Sequence, residues 1–193
     1  PGGSDPRGLA LGGALPCILE GGSPQIVKNI AEKIINRDLI SFGKLDATDI
    51  ENVERMLRFI SRSGVDVCGP SAIARNLGIT RYKAQKYLEL LEHAHLQKMV
   101  LPYGSNVLKE PKVLYVPPFR AHFVEGAEQE LLSGAMREEF FVHHIINAGL
   151  ELNYLKSERG EKLADYFVFH QGKKFVFEIG GAGKRRKQLK GVD

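Results

Sequence analysis

Tryptophan is absent from the 193 residues, cysteine occurs only twice, and no apolar run approaches the length of a membrane span. Cys17 and Cys68 have no partners at zinc-binding spacing and are too few for a disulfide-stapled scaffold, so two ordinary thiols in a reducing cytoplasm are expected. No basic-then-apolar leader opens the chain, which gives no sign of secretion or of a membrane partner. Neither sign of charge dominates: 27 basic residues against 23 acidic ones leave +4, and with an isoelectric point near 9.0 this suits an anionic partner without requiring one. What the chain does have is 43% hydrophobic residues, enough for one large or two small cored domains.

The most informative stretch runs from Gly69 to Ala94, GPSAIARNLGITRYKAQKYLELLEHA. Pro70 suits the first position of a helix with Ile73, Ala74 and Leu77 on its apolar stripe, and Gly78 breaks that helix. Thr80 then caps a second helix in which Ala84, Tyr87, Leu88 and Leu91 recur at helical spacing. This is the pattern of a helix-turn-helix. Arg81, Tyr82, Lys83, Gln85 and Lys86 fall beside the stripe near the N-terminus of the second helix, where a recognition helix contacts base edges and phosphates. The bland alternative is a solvated helix face; the agreement of turn pattern and basic helix favours DNA contact.

Around this stretch the chain divides into three. Pro1 to Ala14 is Gly- and Pro-rich without periodicity and is assigned no structure. Ser23-Pro24 opens a helix with Ile26, Val27, Ile30, Ala31 and Ile34 as its buried face, which completes a lid-like segment over residues 1–47. Thr48-Asp49-Ile50-Glu51 has capping-box spacing and starts a helix lined by Ile50, Val53, Leu57 and Ile60. Leu96 to Tyr103 and Val113 to Val116 read as a hairpin wing whose loop carries Lys109 and Lys112 for phosphate contact. Residues 48–118, closed by Pro117-Pro118, therefore form a winged helix-turn-helix. Residues 119–193 change character: a helix over Gln129 to Ala148, strands at Leu150 to Leu155, Ala164 to His170 and Lys174 to Ile179, and then a basic helix. The expected fold class is α+β and multi-domain.

Three acids in the last third call for explanation. Glu138 shares a helix face with Phe141, Val142 and Ile145, Asp165 starts a strand and Glu178 ends one. Either each lies at an element end in water, or they share a Mg²⁺ able to activate water against a phosphodiester. The segments GAMREEFF, LADYFVF and FVFEIGGAGKRRKQLKG resemble the restriction-endonuclease-like PD-(D/E)xK core that ends a group of archaeal-type AAA ATPases. LEGGSPQIV is similar to the end of the lid in those proteins, and KEPKVLYVP to the end of their winged helix.

The resemblance implies that Glu138, Asp165 and Glu178 are the catalytic acids, with Asp165 and Glu178 as metal ligands. It also exposes a departure, because Gly180 stands where E-x-K requires lysine. A missing cation of this kind commonly costs several kcal/mol of transition-state stabilisation, so a non-cleaving domain is expected. Lys184 is the candidate substitute and Gln188 a candidate backbone contact. The run Lys184, Arg185, Arg186, Lys187, Gln188 is equally readable as a solvated face or a phosphate-binding stripe.

Weaker motifs are set aside. GGAGKRR lacks the first Gly and the Ser or Thr of a phosphate loop, so any ATP binding belongs to an ATPase module outside these residues. Glu139 with His143-His144, and His93 with His95, are incomplete as zinc sites. Phe140-Phe141 reads as core. The expected function is thus a DNA-binding and regulatory C-terminal region of an AAA-type ATPase, with a metal-dependent endonuclease using Glu138, Asp165, Glu178 and Lys184 as the rival. A third reading is a winged-helix transcription regulator with an α/β sensor domain. The expected partners are double-stranded DNA and the ATPase module of a longer polypeptide, with a homo-oligomer left open. No cofactor is expected in this chain by default, with Mg²⁺ required only if the acids are active.

Overall fold

The computed structural model describes residues 24–104, 110–124, 129–154 and 164–180. The fold is α+β, with two small antiparallel sheets. Helix α1 (Pro24–Lys33) runs through a π-turn (Ile34–Asp38) into α2 (Leu39–Gly43). Its buried residues are Val27, Ala31, Ile35 and Leu39, while Ile26, expected on the buried face, is 38% exposed. A stripe spaced by fours drifts about 40° per step around a 3.6-residue helix, and the extra residue of the π-turn rotates it back onto the core. Periodicity over Pro24 to Ile34 alone did not reveal this correction.

Helix α3 (Ala47–Arg62) begins two residues earlier than a cap at Thr48 would place it. Asp46 is the cap: its Oδ1 accepts from the Asp49 amide at 2.8 Å and the Asp49 carboxylate accepts from the Asp46 amide at 3.4 Å. Two acids serve as well as the Ser/Thr and Glu of the usual pattern, which is why Thr48 is not the cap. A 3₁₀ turn (Val65–Val67) leads to α4 (Pro70–Leu77) and, three residues on, to α5 (Arg81–His93). Gly78, at φ 70°, adopts the left-handed conformation that a side chain resists, and Thr80 Oγ1 accepts from the Lys83 amide at 3.2 Å.

Strands β1 (Gln97–Val100) and β2 (Lys112–Tyr115) pair antiparallel with Gln97 opposite Tyr115. The short helix α6 (Phe119–Phe123) follows. Phe119 joins a core with Val53, Leu57, Ile60, Ile73, Tyr87, Leu88 and Leu91, against which Phe123 packs. Fully burying such side chains is worth about 1.5–3 kcal/mol each.

Helix α7 (Gln129–Asn147) covers a second sheet of β3 (Leu152–Tyr154), β4 (Tyr166–His170) and β5 (Lys173–Phe177), in that order and all antiparallel. Gln171 and Gly172, both at positive φ, make the two-residue β4–β5 turn that matches strand twist. A second core joins Ala135, Val142, Leu152, Tyr166 and Val168 to Val65, Val100 and Leu114 from the first half. A parallel bridge between Pro102 and Tyr154 also ties the hairpin to the second sheet. Phe141 packs on Phe177 at 4.9 Å, whereas Phe140, expected in the core with it, is about half exposed and lies against His144 at 4.0 Å. Among the described residues no helix is long and apolar enough to cross a membrane.

Candidate functional site

Helix α5 has two faces with different duties. Ala84, Tyr87, Leu88 and Leu91 are buried and hold the helix against the rest of its unit. The opposite side of its first two turns presents Arg81, Tyr82, Lys83 and Lys86 exposed and Gln85 half-buried, with the Tyr82 ring 79% exposed. Between this side and the hairpin runs an open groove of about 540 Å³, lined by Arg81, Tyr82, Gln85, Met99, Leu101 and Pro111. Glu92 fixes the groove's width by accepting from the Met99 amide at 2.9 Å, which docks β1 onto α5.

The cations of that surface are not equivalent. Lys83 Nζ lies 2.9 Å from Asp49 Oδ1, and the same oxygen accepts from the Tyr87 hydroxyl. The hydrogen bonds from Tyr87 and Lys83 hold the Asp49 carboxyl below its ordinary value, while burial and Asp49 push the Tyr87 hydroxyl up to about 12. Lys83 is therefore occupied in tying α5 to α3. Arg81 Nε lies 3.5 Å from Glu110, which also accepts from the Ser71 amide and hydroxyl at the N-terminus of α4. That carboxylate sits where a helix N-terminus favours negative charge. The Arg81 pair is half exposed and so is easily exchanged for another anion. Lys86 makes no ion pair among the described residues.

Lys112 departs from expectation. Instead of reaching a phosphate from the wing loop, it begins β2 with its side chain 9% exposed and its Nζ 2.7 Å from Asp66 and 3.9 Å from Glu138. The ammonium lies 4.7 Å from the Tyr166 ring centroid and 5.4 Å from that of Tyr154. Two acids and two aromatic faces compensate its charge within the fold, so its ammonium is committed internally. Lys109, Lys184, Arg185, Arg186, Lys187 and Gln188 lie outside the described residues.

The acids of the last third are each in use. Glu138 accepts from the Tyr166 hydroxyl at 2.9 Å and faces Lys112; burial raises its carboxyl above the ordinary value, with Lys112 opposing. Asp165 Oδ2 accepts from the Ile179 amide at 2.7 Å. Continuing the register in which Tyr166 faces Phe177 places Asp165 opposite Glu178, so strand alternation assigns these two acids to one face of the sheet. Glu138 instead meets the sheet from α7, on the face of Tyr166. Among the described residues no group of three or more His, Cys, Asp or Glu is arranged to hold a metal ion.

A buried ion pair stands outside the sequence reading, in which Glu139 is weighed only with His143-His144 and Arg120 is given no role. Arg120 of α6 and Glu139 of α7, both 2% exposed, meet at 2.7 Å. The Glu139 oxygen also accepts from the Tyr115 amide at 2.8 Å, and Arg120 donates to the carbonyls of Ile60, Ser61 and Ser63. Burial pushes the Glu139 carboxyl up to about 7 against the pull of Arg120. Glu139 thus points away from any zinc site with His143, whose Nε2 meets the Asn147 amide at 2.8 Å. The signal was present: Ala135, Glu139, Val142 and Ile146 share one helical stripe, so an acid stood among core positions. Cys68 is fully buried, and desolvation pushes its thiol up to about 11, which makes it an inert packing group.

Comparison with curated proteins and with solved structures gives no match. A family described as "Domain of unknown function (DUF8612)" matches residues 14–129, more than half of the chain, from the N-terminal helices through the hairpin and α6. The chain belongs to that family.

Proposed function

We propose that this chain is a duplex-DNA-binding and regulatory region of an AAA-type ATPase, in which α3, α4, α5 and the β1–β2 hairpin act as a winged helix. The observation that carries the reading is the exposure of Tyr82, Lys86 and the loosely held Arg81, with Gln85 half-buried beside them, along the first two turns of a helix whose other face is locked in the core. A helix presented this way enters a major groove with Arg and Gln at base edges and Lys at phosphates. Lys83 serves as an anchor. The α7–β3–β4–β5 unit is a nuclease-like domain retained for binding or assembly. Its non-cleaving character is supported by Gly180 at the lysine position and by the internal duties of Glu138, Asp165 and Lys112.

In an electrophoretic shift with duplex DNA, the Arg81→Ala/Lys86→Ala variant binds at least several-fold more weakly than the parent and melts at nearly the same temperature. An unchanged shift removes α5 as the reader. The facing positions of Asp165 and Glu178 favour a second reading, a metal-dependent endonuclease. Incubation with DNA and Mg²⁺ or Mn²⁺ decides between them: the binding reading expects intact DNA, and cleavage abolished by Asp165→Ala establishes the enzyme.

A further inference from the structure

Glu110 precedes Pro111, one of the residues lining the groove along α5, and pairs with Arg81, another of them. Its Oε1 meets groups from two helices: the Ser71 amide at 3.0 Å and the Ser71 hydroxyl from the first turn of α4, and Arg81 Nε at 3.5 Å from the first turn of α5. Gly69 makes room for this arrangement, since a Cβ at that position would collide with the other carboxylate oxygen, Oε2. The backbone beneath is fixed as well. The Tyr154 hydroxyl of β3 donates to the Glu110 carbonyl at 2.7 Å, and the following proline biases Glu110 towards extended conformations. A carboxylate held both at its backbone and at its tip is a positioned group, not a passing surface neighbour of Arg81.

Of the cations that the first two turns of α5 expose, Lys83 is held by Asp49, and Lys86 makes no ion pair among the described residues. Arg81 is the one whose availability rests on a carboxylate from the root of the hairpin. We propose that Glu110 is an autoinhibitory contact: its carboxylate stands in for a DNA phosphate on Arg81, and duplex binding requires its displacement. The inference rests on the reading of α5 as the duplex-contacting helix. Two effects act together. The pair holds Arg81, and a half-exposed ion pair of this kind shifts an equilibrium by about two- to five-fold. The carboxylate also repels a phosphate brought alongside α5, as like charges do across any interface. A hold this weak is a threshold and not a block. It filters out contacts made through Arg81 alone, and it yields to a duplex that also engages Tyr82, Gln85 and Lys86. Because β3 holds the Glu110 backbone, the second sheet takes part in setting where this carboxylate stands.

The test is fluorescence anisotropy of the full chain and its variants with a labelled DNA duplex. Glu110→Gln keeps the shape and the acceptor oxygen for Ser71 but removes the charge, and it tightens duplex binding about three- to ten-fold. Ser71→Ala loosens the seat of the carboxylate and tightens binding about two-fold, whereas a Ser71 that itself held phosphate would weaken it. In an Arg81→Ala background Glu110→Gln changes affinity less than about two-fold, because the group it masks is gone; a general charge effect would survive there. Circular dichroism melting checks that the variants fold, and if Glu110→Gln melts early, the sign of the Ser71→Ala effect decides. If Arg81→Ala/Lys86→Ala loses affinity while Glu110→Gln binds no tighter than the parent, the autoinhibitory contact is overturned and the α5 reading stands. A gain from Glu110→Gln that persists in full without Arg81 overturns it too. If neither the parent nor Glu110→Gln binds duplex, both readings fall, and binding by Glu110→Gln alone is the contact in its strongest form.

Discussion

Arg120 and Glu139 bring a full charge pair into a site where neither side chain meets water. Removing one partner leaves an uncompensated charge, which typically costs about 3–5 kcal/mol, whereas replacing both by apolar side chains of similar volume is often near neutral. Arg120→Met is therefore expected to lower the unfolding free energy by that amount, and Arg120→Met/Glu139→Leu to recover most of it in urea titrations. The sign of the pH effect follows from burial. Without Arg120 the Glu139 carboxyl is raised further above its unfolded value of 4.5, so its protonated form is the tolerated one. The single variant's deficit is accordingly constant below about pH 7, where Glu139 is protonated in both folded proteins, and grows as the pH rises above about 7, where only the parent stabilises the carboxylate. Asp49 behaves in the opposite sense. Its folded value is lowered by Tyr87 and Lys83, so its contribution is complete above the ordinary 3.8 and is lost as the pH falls through the folded value. Asp49→Ala should lower the melting temperature at pH 7, and the difference should shrink as the pH is taken progressively below 3.8, as read by circular dichroism.

Elements were more legible than the side chains that join them. Pro70, Gly78 and Thr80 mark α4, its end and the start of α5 because each has a backbone preference that acts locally. Gly172 likewise marks the β4–β5 turn, although the strands read at Ala164 to His170 and Lys174 to Ile179 leave that turn one residue longer than the Gln171-Gly172 pair that makes it. Asp46 was missed as the cap of α3 because Thr48 offers the same spacing to a pattern reader, and only the position of the first apolar contact separates them. The π-turn after α1 was invisible for a different reason: it answers a register requirement set by the core, which no local window contains. Thr80→Ala removes the acceptor for the Lys83 amide and should cost about 1 kcal/mol. Because the turn also sets the angle at which α5 is presented, hydrogen exchange should show the loss first in the opening turn of α5, with α3 unaffected. Uniform loss across all helices would mean that the cap does not act locally.

On the scale of the whole chain, the joint between the two cores was the least legible part. Lys112 reads in the sequence as one more wing lysine, yet the fold turns it inward to Asp66, Glu138, Tyr154 and Tyr166, contributed by four separate segments. No spacing rule finds a group assembled across such distances in sequence. The facing of Asp165 and Glu178 depends on the register set by a two-residue turn, which starting the last strand at Lys174 leaves one residue off, and the duties of Glu138 were not legible either. Among the described residues, the first half of α5 is the surface on which the proposed duplex reading rests. Duplex DNA binding measured by anisotropy between about 50 and 200 mM salt, a range over which counterion release is resolved, tests that most directly. The account predicts a steep loss of affinity with salt in the parent chain and a log–log slope shallower by about 2 in Arg81→Ala/Lys86→Ala. Identical slopes and affinities in the two proteins would contradict it.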